Sequence, residues 1–172
     1  MATGPVNFQI IQLKELGLSY TEPIEIIKEQ KVEQVEVGIN VNYRWNLDND
    51  IFGVQLDVAY LKKIDESHNI ELLKFATYTE FKVLDLKQIF KVTNPNDFRM
   101  DEPLETTFVS IAISSTRGML ASRTAGTFFG QFIIPLVNPS DLILSKKISA
   151  GKKNENPQNE SKNIHSKKGK KT

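Results

Sequence analysis

Between Val35 and Trp45 the chain reads VEVGINVNYRW, and Val35, Val37, Ile39, Val41, Tyr43 and Trp45 alternate without a break with Glu36, Gly38, Asn40, Asn42 and Arg44. Successive side chains of a strand point to opposite faces, so this period of two predicts a strand with one buried and one wet face. The turn-forming run NLDND follows, and the alternation resumes in Phe52, Val54, Leu56, Val58 and Tyr60. Two such strands about a polar turn predict an antiparallel hairpin. Beyond a second turn, DESHN, the residues Leu73, Phe75, Thr77, Thr79, Phe81 and Val83 alternate again and predict a third strand.

Upstream, NFQIIQLKEL is β-prone but apolar on both faces, with Phe8 and Ile10 opposed to Ile11 and Leu13, and it predicts a fourth strand. Between this strand and the hairpin, TEPIEIIKEQKVE reads as a crossing connection whose Ile24, Ile26 and Ile27 need to be buried. The period changes after the loop NPNDFRMDEP. From Leu104 to Ser122, Val109, Ile113 and Leu120 fall at helical spacing, with Ala112 and Thr116 alongside. Asp101, Glu102 and Glu105 suit the positive end of a helix dipole, and Gly126 suits the helix end. The small residues Ala112, Ser114, Ser115 and Gly118 permit close approach by a sheet or another helix. A return segment follows, with a short terminal helix starting near Pro139, Ser140 and Asp141.

With 172 residues, the chain fits one domain. Residues 1–146 read as that domain. Residues 147–172 read as a disordered, lysine-rich tail, because Ile148 and Ile164 are its only sizeable apolar residues and cannot offset the entropy of ordering. The tail is either solubilising or makes a weak electrostatic contact with an acidic surface such as RNA or an anionic membrane face. A formal net charge of +1 gives no global sign of nucleic-acid binding. The absence of cysteine excludes disulfides and thiolate metal sites and fits a reducing compartment. No window has the ~18 apolar residues of a membrane span, so a cytoplasmic, soluble protein is expected.

The chemical inventory is thin. His68 falls in a turn and His165 in the tail, leaving no pair for metal binding or a nucleophile relay. Gly118, Gly126 and Gly130 have the wrong spacing for a dinucleotide fingerprint. Asp48 and Asp50 read as turn formers, Glu33 and Glu36 as solvent-facing residues, and Arg117 and Arg123 as solvated residues near a helix end. Neither an active site nor a cofactor is expected. What needs explaining is the apolar excess: Phe128, Phe129, Phe132, Ile133, Ile134, Leu136 and Val137 after the helix, with the three isoleucines of the connection. These are either ordinary core, or in part a subunit interface or a groove for apolar ligands.

Three segments resemble the SecB family of bacterial export chaperones. FQIIQLKELGLSYTEP, from Phe8 to Pro23, is similar to the family's opening strand, with its Phe-Gln-Ile start, the Ser19–Tyr20 pair and a closing proline. The meander from Val35 to Val83 is similar in strand order and turn position. RTAGTFFGQFIIPLVNPSDLI, from Arg123 to Ile143, looks like the family's most characteristic segment: an arginine and Gly-Thr-Phe precede an apolar stretch and then Pro135, Val137 and Asn138.

The resemblance implies an α+β fold, a four-stranded antiparallel sheet with helices packed on one side, assembled as a homotetramer. It implies an ATP-independent holdase that binds unfolded or pre-secretory polypeptides in apolar grooves and keeps them export-competent. Burial at about 25 cal/mol per Å² of apolar surface would give broad affinity without catalysis. Groove candidates are Ile24, Ile26 and Ile27 from the connection and Phe128, Phe129 and Phe132 from the return. Val109, Ile113 and Leu120 are candidates for the oligomer-interface helix. The family's acidic contacts to the motor ATPase SecA align with Gly17, Thr21 and Lys74, none of them acidic, which speaks against coupling to SecA in the usual manner. Two alternatives stay open: a SecB-like chaperone dedicated to another partner such as an antitoxin, and a non-chaperone oligomeric binding module.

Overall fold

A computed structural model of the chain describes residues 6–20, 35–63, 69–94 and 97–145. Strands β1 (Phe8–Tyr20), β2 (Val35–Asn46), β3 (Ile51–Lys63) and β4 (Asn69–Val83) form one antiparallel sheet in the order β1-β4-β3-β2. The meander expected from the alternation is present, and the opening strand joins it as a fourth, beside β4. β1 and β2 are therefore the two edges. The connection between them, with Ile24, Ile26 and Ile27, lies outside the described residues, as does the tail.

β1 is apolar on both faces only if it is read as a regular strand. Its register against β4 slips between Ile10 and Gln12 and again between Glu15 and Gly17, leaving Ile11 and Leu16 as bulge residues. Each bulge adds one residue and restores the alternation. Phe8, Ile10, Leu13, Glu15, Leu18 and Tyr20 consequently oppose the buried row of β4, namely Val83, Phe81, Thr79, Thr77, Phe75 and Leu73. A third slip, in β4 opposite Tyr60 and Leu61, turns Leu72 into the core beside Leu73.

Helix α1 (Leu86–Ile89) is followed by a hairpin of β5 (Lys91–Asn94) and β6 (Asp97–Arg99), then by helix α2 (Glu102–Thr124). Part of the expected loop is thus a strand. Phe98 of β6 stacks on Phe90 at 4.7 Å between ring centroids and meets Trp45 at 5.3 Å, and its three-residue strand is too short to leave a periodic signal. α2 starts two residues earlier than its apolar spacing implies, with Pro103 in its first turn where a missing N–H costs nothing. Glu105 is more than a dipole partner. It is 1% exposed and faces Tyr43 of β2, whose hydroxyl is pushed up by burial first and then by this carboxylate.

α2 covers one face of the sheet with Leu104, Phe108, Val109, Ala112, Ile113, Thr116, Leu120 and Thr124. The core divides in two. Phe52, Phe81, Phe108 and Val109 belong to one cluster, and Tyr60, Phe75, Leu120 and Phe129 to the other. Residues 139–145 form the short terminal helix expected near Pro139, and Ile143 packs into the first cluster.

Candidate polypeptide-binding surfaces

After α2 the chain turns at Gly126, whose φ of 76° is the left-handed conformation that glycine adopts without steric cost. A 3-10 turn, Phe128–Gln131, follows, with the Thr127 hydroxyl accepting from the Phe129 N–H at 3.2 Å. The turn fits tightly: a Cβ at Gly130 would lie 2.9 Å from the Thr124 carbonyl oxygen. Residues 132–138 then run without helix or strand alongside α2. Arg117 holds them there, donating from Nε to the Ile134 carbonyl at 3.0 Å and from Nη2 to the Pro135 carbonyl at 2.8 Å. Tyr60 adds a third tie to the same stretch, its hydroxyl donating to the Phe132 carbonyl at 3.3 Å and its ring stacking on Phe132 at 5.3 Å. Burial pushes the Tyr60 phenol up to about 12, against the opposing pull of Arg117. Neither arginine is simply solvated, since Arg123 pairs with Glu15 of β1 at 2.7 Å.

These ties sort the expected groove residues. Phe129 and Phe132 are buried in the second cluster, against Tyr60, Leu120 and Phe75. Phe128 is only half-buried, and the neighbouring Ile133 and Leu136 are 67% and 93% exposed. Val109, Ile113 and Leu120 all face the chain's own sheet, at 0%, 5% and 1% exposure. The face α2 leaves open carries Ser114, Gly118 and Ser122 instead. Spacing locates an apolar stripe on a helix; whether that stripe meets a sheet or a second copy depends on where the sheet lies.

Two apolar surfaces were not singled out from the sequence. Along β1, Ile10, Leu13 and Tyr20 are exposed although they share the helix-side row, because α2 stops short of this edge. Leu13, Ser115, Gly118, Met119 and Ser122 line a shallow trough of ≈ 550 Å³ between strand and helix, closed by the Arg123–Glu15 pair. At the other edge, Val35, Val37 and Ile39 are half-buried against the second cluster, as is Phe128. The available signal was their place on an edge, which strand order alone reveals.

Among the described residues nothing covers the sheet's other face, which is polar. Asn42 donates to Asp57 at 3.1 Å, Gln55 donates to Asp57 at 3.1 Å, and Arg44 donates to Gln55 at 3.1 Å. Lys74 lies on this face in one row with Gly38, Ala59 and Ser19, and Gly17 lies in the next row opposite Ala76. Thr21 lies outside the described residues. Asp48 and Asp50 are turn residues: Asn46 Oδ1 accepts from the Asp48 and Asn49 N–H groups, and Asp50 Oδ1 accepts from the Leu86 N–H. Among the described residues no group of three or more His, Asp or Glu is placed to hold a metal ion, and no helix is long and apolar enough to cross a membrane.

The fold is thus an α+β sheet-and-helix protein with one polar open face and apolar strips along both edges. No family model matches the sequence, and no curated protein matches it. In structure the chain is similar to a SecB-like chaperone of Mycobacterium tuberculosis in complex with a ChAD peptide from the HigA1 antitoxin. That likeness has 12% identity and a TM-score of 0.43 and covers 76% of this chain and 87% of that one. It is also similar to a protein of unknown function from Streptococcus agalactiae, with 11% identity and a TM-score of 0.34, over 78% of this chain and 98% of that one.

Proposed function

We propose that this protein is a SecB-like, ATP-independent chaperone that holds unfolded polypeptides in the cytoplasm and keeps them competent for export. The observation that carries the reading is the apolar surface left uncovered: Ile133 and Leu136 are exposed on the return segment, and Phe128, Val35, Val37 and Ile39 are only half-buried against the second cluster. Large side chains are kept at the surface there while Arg117 and Tyr60 fix the backbone beneath them. A client's apolar segments lose water on such a strip whatever their sequence. The reading needs no catalysis, metal or cofactor.

The same reading includes self-association to a tetramer. The exposed Ile10 and Leu13 and the small residues Ser115, Gly118 and Ser122 make a surface on which a second copy packs closely. A second reading, a chaperone dedicated to one partner such as an antitoxin, is favoured by Lys74 and Gly17 on the open sheet face, where the SecA-contacting members of the resembled family are acidic.

The test is light scattering of a chemically unfolded model protein diluted into buffer with and without this protein, with its mass in solution measured alongside. Suppression by a tetramer is expected. Unimpeded aggregation in the presence of an excess of intact oligomer would overturn the general holdase and leave the dedicated one.

A further inference from the structure

The net charge of +1 conceals a separation of charge along the chain. Residues 147–172 hold eight lysines and two glutamates, a formal +6, so the 146 residues before them carry −5. A segment that served solubility would add to the charge of the domain it follows, because mutual repulsion grows with the magnitude of the net charge. This one cancels it. Its lysines serve a local contact instead, and the adjacent pairs Lys152–Lys153, Lys167–Lys168 and Lys170–Lys171 call for an anion that carries many charges along its length.

The domain is a poor site for the same anion. Several of its cations are engaged within it: Arg117 on the Ile134 and Pro135 carbonyls, Arg123 on Glu15, Lys87 on Asp48 and Lys82 beside Asp50. On the open sheet face Lys14 and Lys74 share the surface with Asp57 and Glu80. The helix of residues 139–145, which leads toward the lysines, is seated on the first core cluster through Leu142 and Ile143. The apolar surface of the chaperone reading, with Phe128, Val35 and Val37, lies against the second. The two contacts use different residues and start from different clusters.

The composition of the segment separates the polyanions that lysines attract. Stable attachment to a lipid surface takes an inserted apolar group as well as basic charge, and Ile148 and Ile164 are the only sizeable apolar residues here. A nucleic-acid strand asks for cations along its backbone and for hydrogen-bonding groups that reach phosphate and sugar. Asn154, Asn156, Gln158, Asn159 and Ser161 supply the latter between the lysines. We propose that residues 147–172 bind single-stranded RNA through its phosphates, a second binding function that does not depend on the chaperone reading. The segment has no aromatic residue on which a base could stack, so the contact follows charge and not base sequence.

The experiment is a titration of the full chain into a fluorescently labelled oligouridylate of about 20 nucleotides, followed by anisotropy between about 50 and 200 mM salt. Eight lysines that each neutralise a phosphate give a log–log slope of about −5 on a single strand, so affinity is expected to fall about a thousandfold across that range. In Lys167→Gln/Lys168→Gln/Lys170→Gln/Lys171→Gln the slope should fall to about half and binding at the low-salt end should weaken about tenfold or more, with the urea midpoint unchanged. Absence of saturable binding at about 50 mM salt would overturn the proposal. So would a variant that binds as tightly as its parent, since the contact would then lie on the domain. Vesicles of phosphatidylglycerol and phosphatidylcholine are the parallel probe, and sedimentation of the protein with them while the oligouridylate stays free would replace RNA with a lipid surface. The light-scattering test judges the chaperone reading separately from all of these outcomes.

Discussion

The hydroxyls of Thr77 and Thr116 meet at 2.6 Å in the middle of the interface between sheet and helix. Both side chains are almost fully buried, and Thr116 also donates to the Ala112 carbonyl at 2.8 Å. On one side of this bond lies the cluster of Phe52, Phe81 and Phe108, on the other that of Tyr60, Phe75 and Leu120. The two apolar cores are thus joined across a polar contact, which fixes the height at which α2 crosses β4.

Replacing Thr116 by Val is expected to cost about 1–3 kcal/mol, because the Thr77 hydroxyl is left buried without its partner. The double variant Thr77→Val/Thr116→Val should be less destabilised than the sum of the singles, since no hydroxyl remains to be satisfied. Urea unfolding of the four proteins measures this; strict additivity would show that the hydroxyls do not depend on one another.

On the open face, the Tyr78 ring lies across Gly53, so that a Cβ at Gly53 would overlap the hydroxyl and the ring. The Arg44 guanidinium sits over the same ring, 5.6 Å from its centroid. Gly53→Ala should therefore expel the ring and cost about 1–3 kcal/mol in a strand that otherwise prefers alanine to glycine. In a Tyr78→Ala background the same change should cost almost nothing. Thermal unfolding distinguishes the two backgrounds, and an equal loss in both would place the strain elsewhere.

The tyrosines predict alkaline behaviour. Burial raises Tyr60 and Tyr78 from 10.0 to about 12, with Glu80 assisting at Tyr78, and raises Tyr43 further. Above pH 10 the unfolded chain releases phenolic protons that the folded chain still holds, so folding is disfavoured as pH rises. The stability due to these neutral phenols is complete below 10 and is lost as pH climbs through about 12. Urea midpoints should fall across this window, and fall less steeply in Tyr60→Phe/Tyr78→Phe. A midpoint independent of pH there would contradict the burial of the phenols.

Phe128 and Phe132 are four residues apart and should behave differently. Phe132→Ala empties a site against Tyr60 and is expected to destabilise the protein by about 3–5 kcal/mol. Phe128→Ser removes a half-exposed ring and should cost about 1 kcal/mol or less, yet weaken suppression of aggregation if the proposed strip binds clients. Full chaperone activity in a folded Phe128→Ser protein would remove this ring from the binding surface.

Much of this fold is legible along the chain. The alternation in β2, in β3 from Phe52 to Tyr60 and in β4 from Leu73 to Val83 survives in the sheet, and the spacing of Val109, Ile113 and Leu120 locates the buried stripe of α2. The bulges of β1 are legible only as an anomaly, a strand with apolar residues on both faces, because a slip of one residue is invisible until a partner strand supplies the register. The proposed binding surface is less legible still. Phe128 and Phe129 are adjacent and chemically identical, and only the path of the return segment decides that one is half-exposed and the other buried.

The sequence by itself determined that β2, β3, β4 and α2 form and which side of each is apolar, because backbone geometry ties those properties to neighbours a few positions away. The tertiary structure alone decided which apolar sides are covered. Coverage of Val37 depends on where residues such as Phe129 and Phe132 come to rest, and coverage of Leu13 depends on how far α2 stops from the sheet edge. Both are relations between segments about a hundred residues apart, fixed by packing and the Arg117 and Tyr60 ties and not by any local pattern.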